Sequence, residues 1–556
     1  MEFITTNFAP IMFAGLICFL LLGFPVAFSL GACGLSFGII GIELGVFPSS
    51  VLAWLPQRLI GIMANDTLLA VPFFTLMGLI LERSGMAEDL LDTVGQVFGP
   101  MRGGLALAVV FVGALLAATT GVVAASVISM GLISLPIMLR YGYDRRLATG
   151  VIAASGTLSQ IIPPSLTLII LADQLGRSVG DMYRGALLPG LVLTGLYVAY
   201  VAGLAIVSPK QVPALPPEAR AFREANGNSG ARSLVVLMTM ALGFAIGTME
   251  LVVGPQAPVD EQFVVGMLLW GGFAFAAAVA NRVFKLGWLS AVAERVTFVM
   301  IPPLALVFLV LGTIFIGVAT PTEGGAMGAV GALILALVRR RMNLTLLQQA
   351  MDSTTRLTCF ALFILIGSTV FALTFRAVNG DLWVEHLLTN LPGGQWGFLI
   401  FVSLFVFVAA FFLDFFELAF IIIPLLGPVA DKMGIDLVWF GILIAVNMQT
   451  SFMHPPFGLA LFYLRSVAPH DDYRDRVTGR TVAGVRTSQI YWGSVPFIVI
   501  QLAMVVIVMA FPGLVMHYKD GESKVDPGSV KIEVQGGGAG FNPYDNGEPR
   551  ALPTAP

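Results

Sequence analysis

The sequence predicts an all-α polytopic membrane protein built from inverted repeats, with two re-entrant helical hairpins and two broken helices. Three observations lead there: a composition poor in charge, about twelve apolar runs of spanning length, and a long-range echo of proline, glycine and aspartate. Of 556 residues, 57% are hydrophobic and 11% charged, against roughly 25% charged in a soluble globular protein. A hydrocarbon core about 30 Å thick takes roughly 20 apolar residues per helical span. The runs centre near Ile17, Gly34, Met77, Pro163, Gly195, Ala241, Gly272, Val307, Val330, Leu365, Pro455 and Ile500. Two further apolar stretches, 100–140 and 395–430, are predicted as hairpins.

Charge orients the chain. Lys and Arg gather in 140–146, 210–232, 282–295, 339–341 and 465–486, whereas 252–262 and 377–396 have none. The positive-inside rule places the first set in the cytoplasm and both termini outside; Arg58, in a segment expected outside, dissents. A net charge of −3 gives no bulk attraction to nucleic acid. Cys18, Cys33 and Cys359 sit in apolar runs without metal-ligand spacing and are expected to be buried small hydrophobes. No cleavable signal peptide is expected, since no basic residue precedes the first apolar run. Two polar breaks stand out, 209–232 and the tail 518–556, which is rich in Gly, Pro and Asp and expected to be disordered.

The echo is the most informative feature. Pro136, Gly142, Asp144, Pro163 and Pro164 recur as Pro428, Gly434, Asp436, Pro455 and Pro456, every pair 292 positions apart. Pro25 and Pro321 make a rougher echo. The loop with Arg140, Arg145 and Arg146 reads as cytoplasmic and its equivalent, with only Lys432, as external, so the copies are expected to be inverted. Inverted repeats with a site at the midplane are a building plan of secondary transporters; a duplicated scaffold that transports nothing is the alternative.

Both proline pairs fall inside spans. In Ser155-Gly156-Thr157 through Pro163-Pro164, the prolines remove two backbone donors and disfavour helix just ahead of them. Backbone freed at that depth must line a cavity or ligate an ion. Asn447-Met448-Gln449-Thr450 through Pro455-Pro456 is the second copy. Unwound carbonyls with Ser, Thr or Asn suit a desolvated sodium ion, and the half-helix N-termini beyond suit a carboxylate; a plain proline kink is the bland reading. The first hairpin carries Thr119-Thr120-Gly121 at its middle, fit for a re-entrant tip. The second carries Asp414 and Glu417, three residues apart and so expected on one helical face. Intramembrane carboxylates are costly and point to function, unless this stretch is solvated at the surface. Glu323 is expected to cap the helix after Thr320, with Gly324 and Gly328 as a close-contact pair. His454 reads as a packing or hydrogen-bonding residue, and Asp66 and Glu82 as interfacial. With no Gly-Lys dipeptide there is no Walker A loop, and HExxH and GxSxG are absent too, so the chain is not expected to be an enzyme and calls for no bound cofactor.

Gly142-Tyr143-Asp144 through Ala154–Thr157, Ile161–Ser165, Thr320–Glu323, Gly434-Ile435-Asp436 and Pro455-Pro456, in that order, resemble the large membrane subunit of TRAP (tripartite ATP-independent periplasmic) transporters. The resemblance covers roughly 5–207 and 290–512. It implies a fold in the elevator-type ion transporter superfamily, two partners (a small four-helix membrane subunit and a periplasmic substrate-binding protein), and sodium-driven import of a small organic acid across the bacterial inner membrane. It implies scaffold helices in 1–98, 176–295 and 296–390, transport-domain halves in 99–175 and 391–467, a last span in 468–515 and a tail in 516–556. By position, Thr119, Thr120, Gly121, Ser155, Gly156, Thr157, Pro163 and Pro164 form one half of the site. Asp414, Glu417, Asn447, Thr450, Pro455 and Pro456 form the other, with sodium near Thr120, Gly156, Asp414 and Asn447. The sequence departs from the family at both tips, where Ser-Gly-Ser and an Asp-Pro-Thr-like run are usual, and in an apparent inserted helix pair, 233–285. Its pattern resembles the mannitol or chloroaromatic subgroup. A stand-alone sodium–anion symporter of the same superfamily is the alternative.

Overall fold

The computed structural model describes residues 2–121, 123–219, 230–254, 259–456, 458–475 and 477–519. Most of the C-terminal tail and much of the 209–232 break therefore lie outside the described residues. The chain starts with α1 (Glu2–Thr6), α2 (Phe8–Leu21) and α3 (Val26–Glu43). The short α4 (Leu55–Met63) precedes α5 (Ala70–Arg83), the axis bending by 49° between Ser49–Met63 and Asp66–Arg83. After α6 (Met86–Phe98), α7 (Gly104–Thr120) and α8 (Val123–Arg140) form a helical hairpin that turns at Gly121. Then come α9 (Arg145–Thr157) and α10 (Leu166–Leu175), interrupted through Pro163 and Pro164, and the long α11 (Val179–Val207). α12 (Ala231–Val253) and α13 (Val259–Phe284) pack on each other and on α14 (Ala291–Phe315), around a small core of Leu237, Ala241, Ala274 and Ile301 that is separate from the main one.

The second half runs through α15 (Pro321–Val338) and α16 (Leu344–Ala377). α17 (Gly380–Thr389) and α18 (Gly394–Ala409) meet at 116°. α19 (Phe415–Ile421) and α20 (Ile423–Lys432) follow, divided near Pro424, whose missing N–H breaks the ladder. α21 (Leu437–Ser451) and α22 (Leu459–Val467) are interrupted through Pro455 and Pro456, and α23 (Thr487–Ala510) and α24 (Gly513–Met516) close the chain. Among the described residues nine helices are long and apolar enough to cross a membrane, or eleven if the two bent pairs are each one span. The sequence predicts twelve runs. The proline pairs split two of those runs, α2 and α5 are only 14 residues long, and the nine include α8, which the sequence assigns to a hairpin.

The echoed residues do the same work in both halves. Pro136 and Pro428 lie inside α8 and α20. Gly142 and Gly434 turn the chain at φ 81° and 74°, where a side chain would be strained. Asp144 and Asp436 cap α9 and α21, each accepting from the amides two and three residues on. Both proline–proline bonds are cis. Packing is exchanged between the halves: α3 lies along α16 and α5 along α15, while α10 packs on α21 and α19, and α22 on α9 and α8. Each element thus touches the counterpart of its own neighbour, as a two-fold relation between repeats requires.

Local expectations fare unevenly. Thr320 and Glu323 form the capping box at the start of α15, and Gly324 and Gly328 sit against Ile314 and Met77. Cys33 is buried, but Cys18 and Cys359 are exposed on the outer faces of α2 and α16, so the burial expected of all three is corrected for two. A two-stranded ribbon, Tyr473–Arg474 with Thr481–Val482, ties the two halves together outside the helices. Its Asp475 pairs with Arg140 at 2.9 Å, and Arg145 donates to the Ala483 carbonyl. The Thr478 hydroxyl and amide, with the Arg140 guanidinium, hold the Asp475 carboxyl down to about 2.

Candidate functional site

The first hairpin turn, the start of α19 and both helix interruptions line one cavity of about 120 Å³. Gly121 and Val123 come from the hairpin, Gln160, Leu166 and Thr167 from the first break and the start of α10, Asp414 to Phe416 from the start of α19 and Phe452 from the second break. Leu357 of α16 and Tyr463 of α22 also line it, and among the described residues the lining contains no Lys, Arg or His. Gly121 has φ 59°, and a Cβ there would stand 3.1 Å from the Leu166 Cγ and 3.3 Å from its amide nitrogen. Glycine therefore lets the hairpin turn approach the first turn of α10. That turn has no side-chain cap, because the Ser165 hydroxyl is spent donating to the Gln160 carbonyl at 2.7 Å. Its free amides and the positive end of the helix dipole are left beside the cavity.

Asp414 and Glu417 do not share a helical face. Asp414 precedes α19 as its N-cap, accepting from the Phe415 amide at 2.7 Å, and Glu417 reaches back to accept from the Asp414 amide at 2.9 Å. The spacing that suggested a common face is also that of a capping box, and the helix begins between the two acids. Asp414 is half-buried and Glu417 buried. Among the described residues neither has a Lys, Arg or His partner. The Gln160 Oε1, also buried, has no hydrogen-bond partner. Gln160 and Asp414 thus give the cavity wall side-chain oxygens able to meet a cation.

Several other predicted site residues lie away from the cavity lining. Ser155 is buried against Gly113 of α7, where a Cβ would be 2.5 Å from its own. Gly156 faces Val127 of α8, Asn447 donates to the Ser403 carbonyl of α18 at 2.6 Å, and Thr450 donates back to the Asn447 carbonyl. Of the four residues expected near sodium, Asp414 lines the cavity, Gly156 and Asn447 are committed to helix packing, and the Thr120 side chain lies outside the described residues. Thr119 and Thr120 lie in the last turn of α7, but their side chains are outside the described residues. Pro163 and Pro164 are buried, whereas Pro455 is half-buried and Pro456 exposed, so the two breaks differ in access. His454 packs between Phe407 and Phe411, as a packing residue should.

Sequence reading missed a buried network behind the cavity. Thr157 Oγ1 accepts from Gln449 Nε2 at 3.2 Å and Gln501 Nε2 at 3.3 Å, and Gln501 also donates to the Tyr197 hydroxyl at 2.8 Å. Thr157 and Gln449 are themselves 292 positions apart, so equivalent residues meet on the pseudo-axis, and that offset is the signal that pairs them. Nothing in the sequence points to Gln501 or Tyr197. Thr157→Val takes the acceptor from the buried Gln449 amide, costing roughly 1–3 kcal/mol, and leaves the Gln501 amide with the Tyr197 hydroxyl. We expect a clearly lower thermal unfolding midpoint in detergent for Thr157→Val and little change for Thr450→Val, whose hydroxyl bonds only its own helix.

Comparison with known proteins adds the following. Residues 13–514 match the family model described as "Tripartite ATP-independent periplasmic transporter, DctM component". A C4-dicarboxylate TRAP transporter large permease protein DctM of Pseudomonas aeruginosa is 28% identical over 402 residues, covering 72% of this chain and 77% of that one. One of the same description from Rhodobacter capsulatus is 26% identical over 521 residues, covering 91% and 97%. An isethionate TRAP transporter permease protein DctMQ of Oleidesulfovibrio alaskensis is 23% identical over 510 residues, covering 92% of this chain and 66% of that protein.

Proposed function

The chain belongs to the DctM family, the large permease component of tripartite ATP-independent periplasmic transporters, and from that premise we propose that it imports a small organic acid, coupled to sodium and delivered by a periplasmic binding protein. It is a multi-pass inner-membrane protein and a transporter, not an enzyme. A small four-helix membrane subunit completes the proposed assembly. The carrying observation is the cavity that gathers the Gly121 turn, the uncapped start of α10 and Asp414.

In this reading the acid group of the cargo takes the free amides of α10, where backbone donors and dipole favour an anion. Sodium takes Asp414 and the Gln160 Oε1, completed by backbone oxygens of the breaks. Two opposite charges entering a low-dielectric cavity together offset much of each other's desolvation, a reason for one to require the other. The proposed body that moves contains both hairpins and both broken helices (99–175 and 391–467), sliding in elevator fashion against scaffold helices that include α3, α5, α15 and α16. With the repeats inverted in the membrane, exchanging the environments of the buried first break and the second break, exposed at Pro456, gives the opposite-facing state.

The C4-dicarboxylate and isethionate relatives suggest a small carboxylate or sulfonate as cargo. Assignment to the mannitol or chloroaromatic subgroup rests on the unusual residues at the two turns and the inserted helix pair, 233–285. Reconstitution tests the function. With the small subunit and the cognate binding protein present, an inward sodium gradient should drive uptake of labelled C4-dicarboxylates or isethionate, and omission of any of the three should abolish it. Robust uptake by this chain alone favours the stand-alone symporter, and uptake indifferent to sodium removes the coupling ion.

A further inference from the structure

A second space lies on the other side of the Asp414–Glu417 capping box. It is an open groove of about 740 Å³ between the turn around Pro25 and the side of α16, walled by Phe28, Phe360 and Phe363. Glu417 forms part of its end, and Arg356 is the cation in its lining. The inner cavity and this groove share the same partition. Asp414 lines the cavity and Glu417 the groove; Leu357 lines the cavity and its neighbour Arg356 the groove.

Arg356 is unusual in its surroundings. It ends the polar first part of α16, 344–356, where the sequence passes into the apolar stretch 358–375. Among the described residues no carboxylate pairs with it and no hydrogen bond engages it. The other arginine at this level of the fold, Arg83 of α5, is occupied by Gln349 and Ser353 of α16. This guanidinium is exposed in a groove whose lining it shares with Phe28, Phe360 and Phe363, and it has the bidentate geometry that a carboxylate or a sulfonate takes. The inner cavity has no cation of its own, and beside it the groove holds one.

We propose that Arg356 is an anion-binding residue of the transport path, holding the acid group of the cargo in the groove before or after it passes the partition formed by Leu357, Asp414 and Glu417. The inference rests on the import function proposed above. The cargo anion exchanges between Arg356 on α16 and the amides of α10, so that an acid group is met by a positive group on both sides of the wall. Glu417, at the end of the same groove, disfavours an anion that has left the guanidinium and keeps residence there short.

The test uses the complete transporter in vesicles, with labelled succinate and isethionate as probes. Arg356→Gln should lower the initial uptake rate at subsaturating probe by about tenfold, equivalent to roughly 1.4 kcal/mol, while Arg356→Lys keeps most of it. The sodium dependence of the remaining uptake should be unchanged, since the ion is held elsewhere. Equal rates for wild type and Arg356→Gln overturn the proposal. A defect present in vesicles containing phosphatidylglycerol and absent in pure phosphatidylcholine overturns it too, because it assigns the guanidinium to a lipid phosphate. If wild type imports neither probe, the cargo reading fails at that step; Arg356 is then judged by whether Arg356→Gln weakens protection of Cys359, in the same groove, from a thiol reagent by each probe. No difference in that protection also overturns the proposal.

Discussion

Asp414→Asn is expected to abolish sodium-stimulated uptake while leaving the fold intact. Asparagine caps a helix about as well as aspartate, so the bond to the Phe415 amide and the return bond from Glu417 can persist. What disappears is the negative charge on the cavity wall. Binding of a desolvated monovalent cation depends on that charge, and a loss of two orders of magnitude in uptake is the expected scale, about 2.7 kcal/mol. Uptake measured against sodium concentration checks it: wild type saturates, and Asp414→Asn stays near the sodium-free baseline with an unaltered unfolding midpoint. An unchanged sodium curve removes Asp414 from the ion site. Asp414→Ala should add a stability loss of about 1 kcal/mol from the missing cap, which separates the two roles of the side chain.

Gly493→Leu is expected to prevent accumulation of folded protein. α9 and α23 cross with Gly150 and Gly493 face to face, directly below the first break. A Cβ on Gly493 would lie 2.0 Å from the Arg146 carbonyl oxygen, and one on Gly150 would lie 2.0 Å from that of Gly493. Overpacking against side chains usually costs roughly 1–3 kcal/mol. Here the obstacle is backbone, so the helices must separate and the Thr157–Gln501 bond is lost with them. Yield and monodispersity after detergent extraction provide the measurement, with Gly195→Leu as a control because nothing lies within 4 Å of its added Cβ. Wild-type yield for Gly493→Leu would contradict the helix crossing.

Much of this architecture is legible in the sequence because the repeat keeps the residues that punctuate the chain. A glycine at positive φ, an aspartate cap and a proline pair have local jobs that tolerate few substitutes, so their 292-residue spacing survives where the apolar faces have drifted. The same logic locates both breaks, whereas the Gly121 turn is read from its small and polar residues, since the position 292 residues on is Leu413. Side-chain roles between distant elements are less legible. Asp414 and Glu417 were visible as paired acids, but whether the pair lies along a helix or across its start depends on where Leu413 ends the preceding turn. Asn447 looked like an ion ligand because of its place in the break, yet its amide is used by the Ser403 carbonyl of a helix some forty residues earlier. Gln501 and Tyr197 meet where α11 packs on α23, a contact without any local pattern. The cavity itself is a property of four converging ends, and Gln160 acquires interest only when its unpartnered oxygen is seen beside Asp414.

The central claim is that cargo anion and cation share the cavity between the Gly121 turn and the start of α19. A cryo-electron microscopy map of the complete transporter, frozen with saturating sodium and a transported acid, tests it most directly. The acid group should appear at the first-turn amides of α10, beside Gly121, with a compact ion density between Asp414 and Gln160. An empty enclosure in a cargo-saturated map, with the acid bound at another place in the chain, would contradict the account.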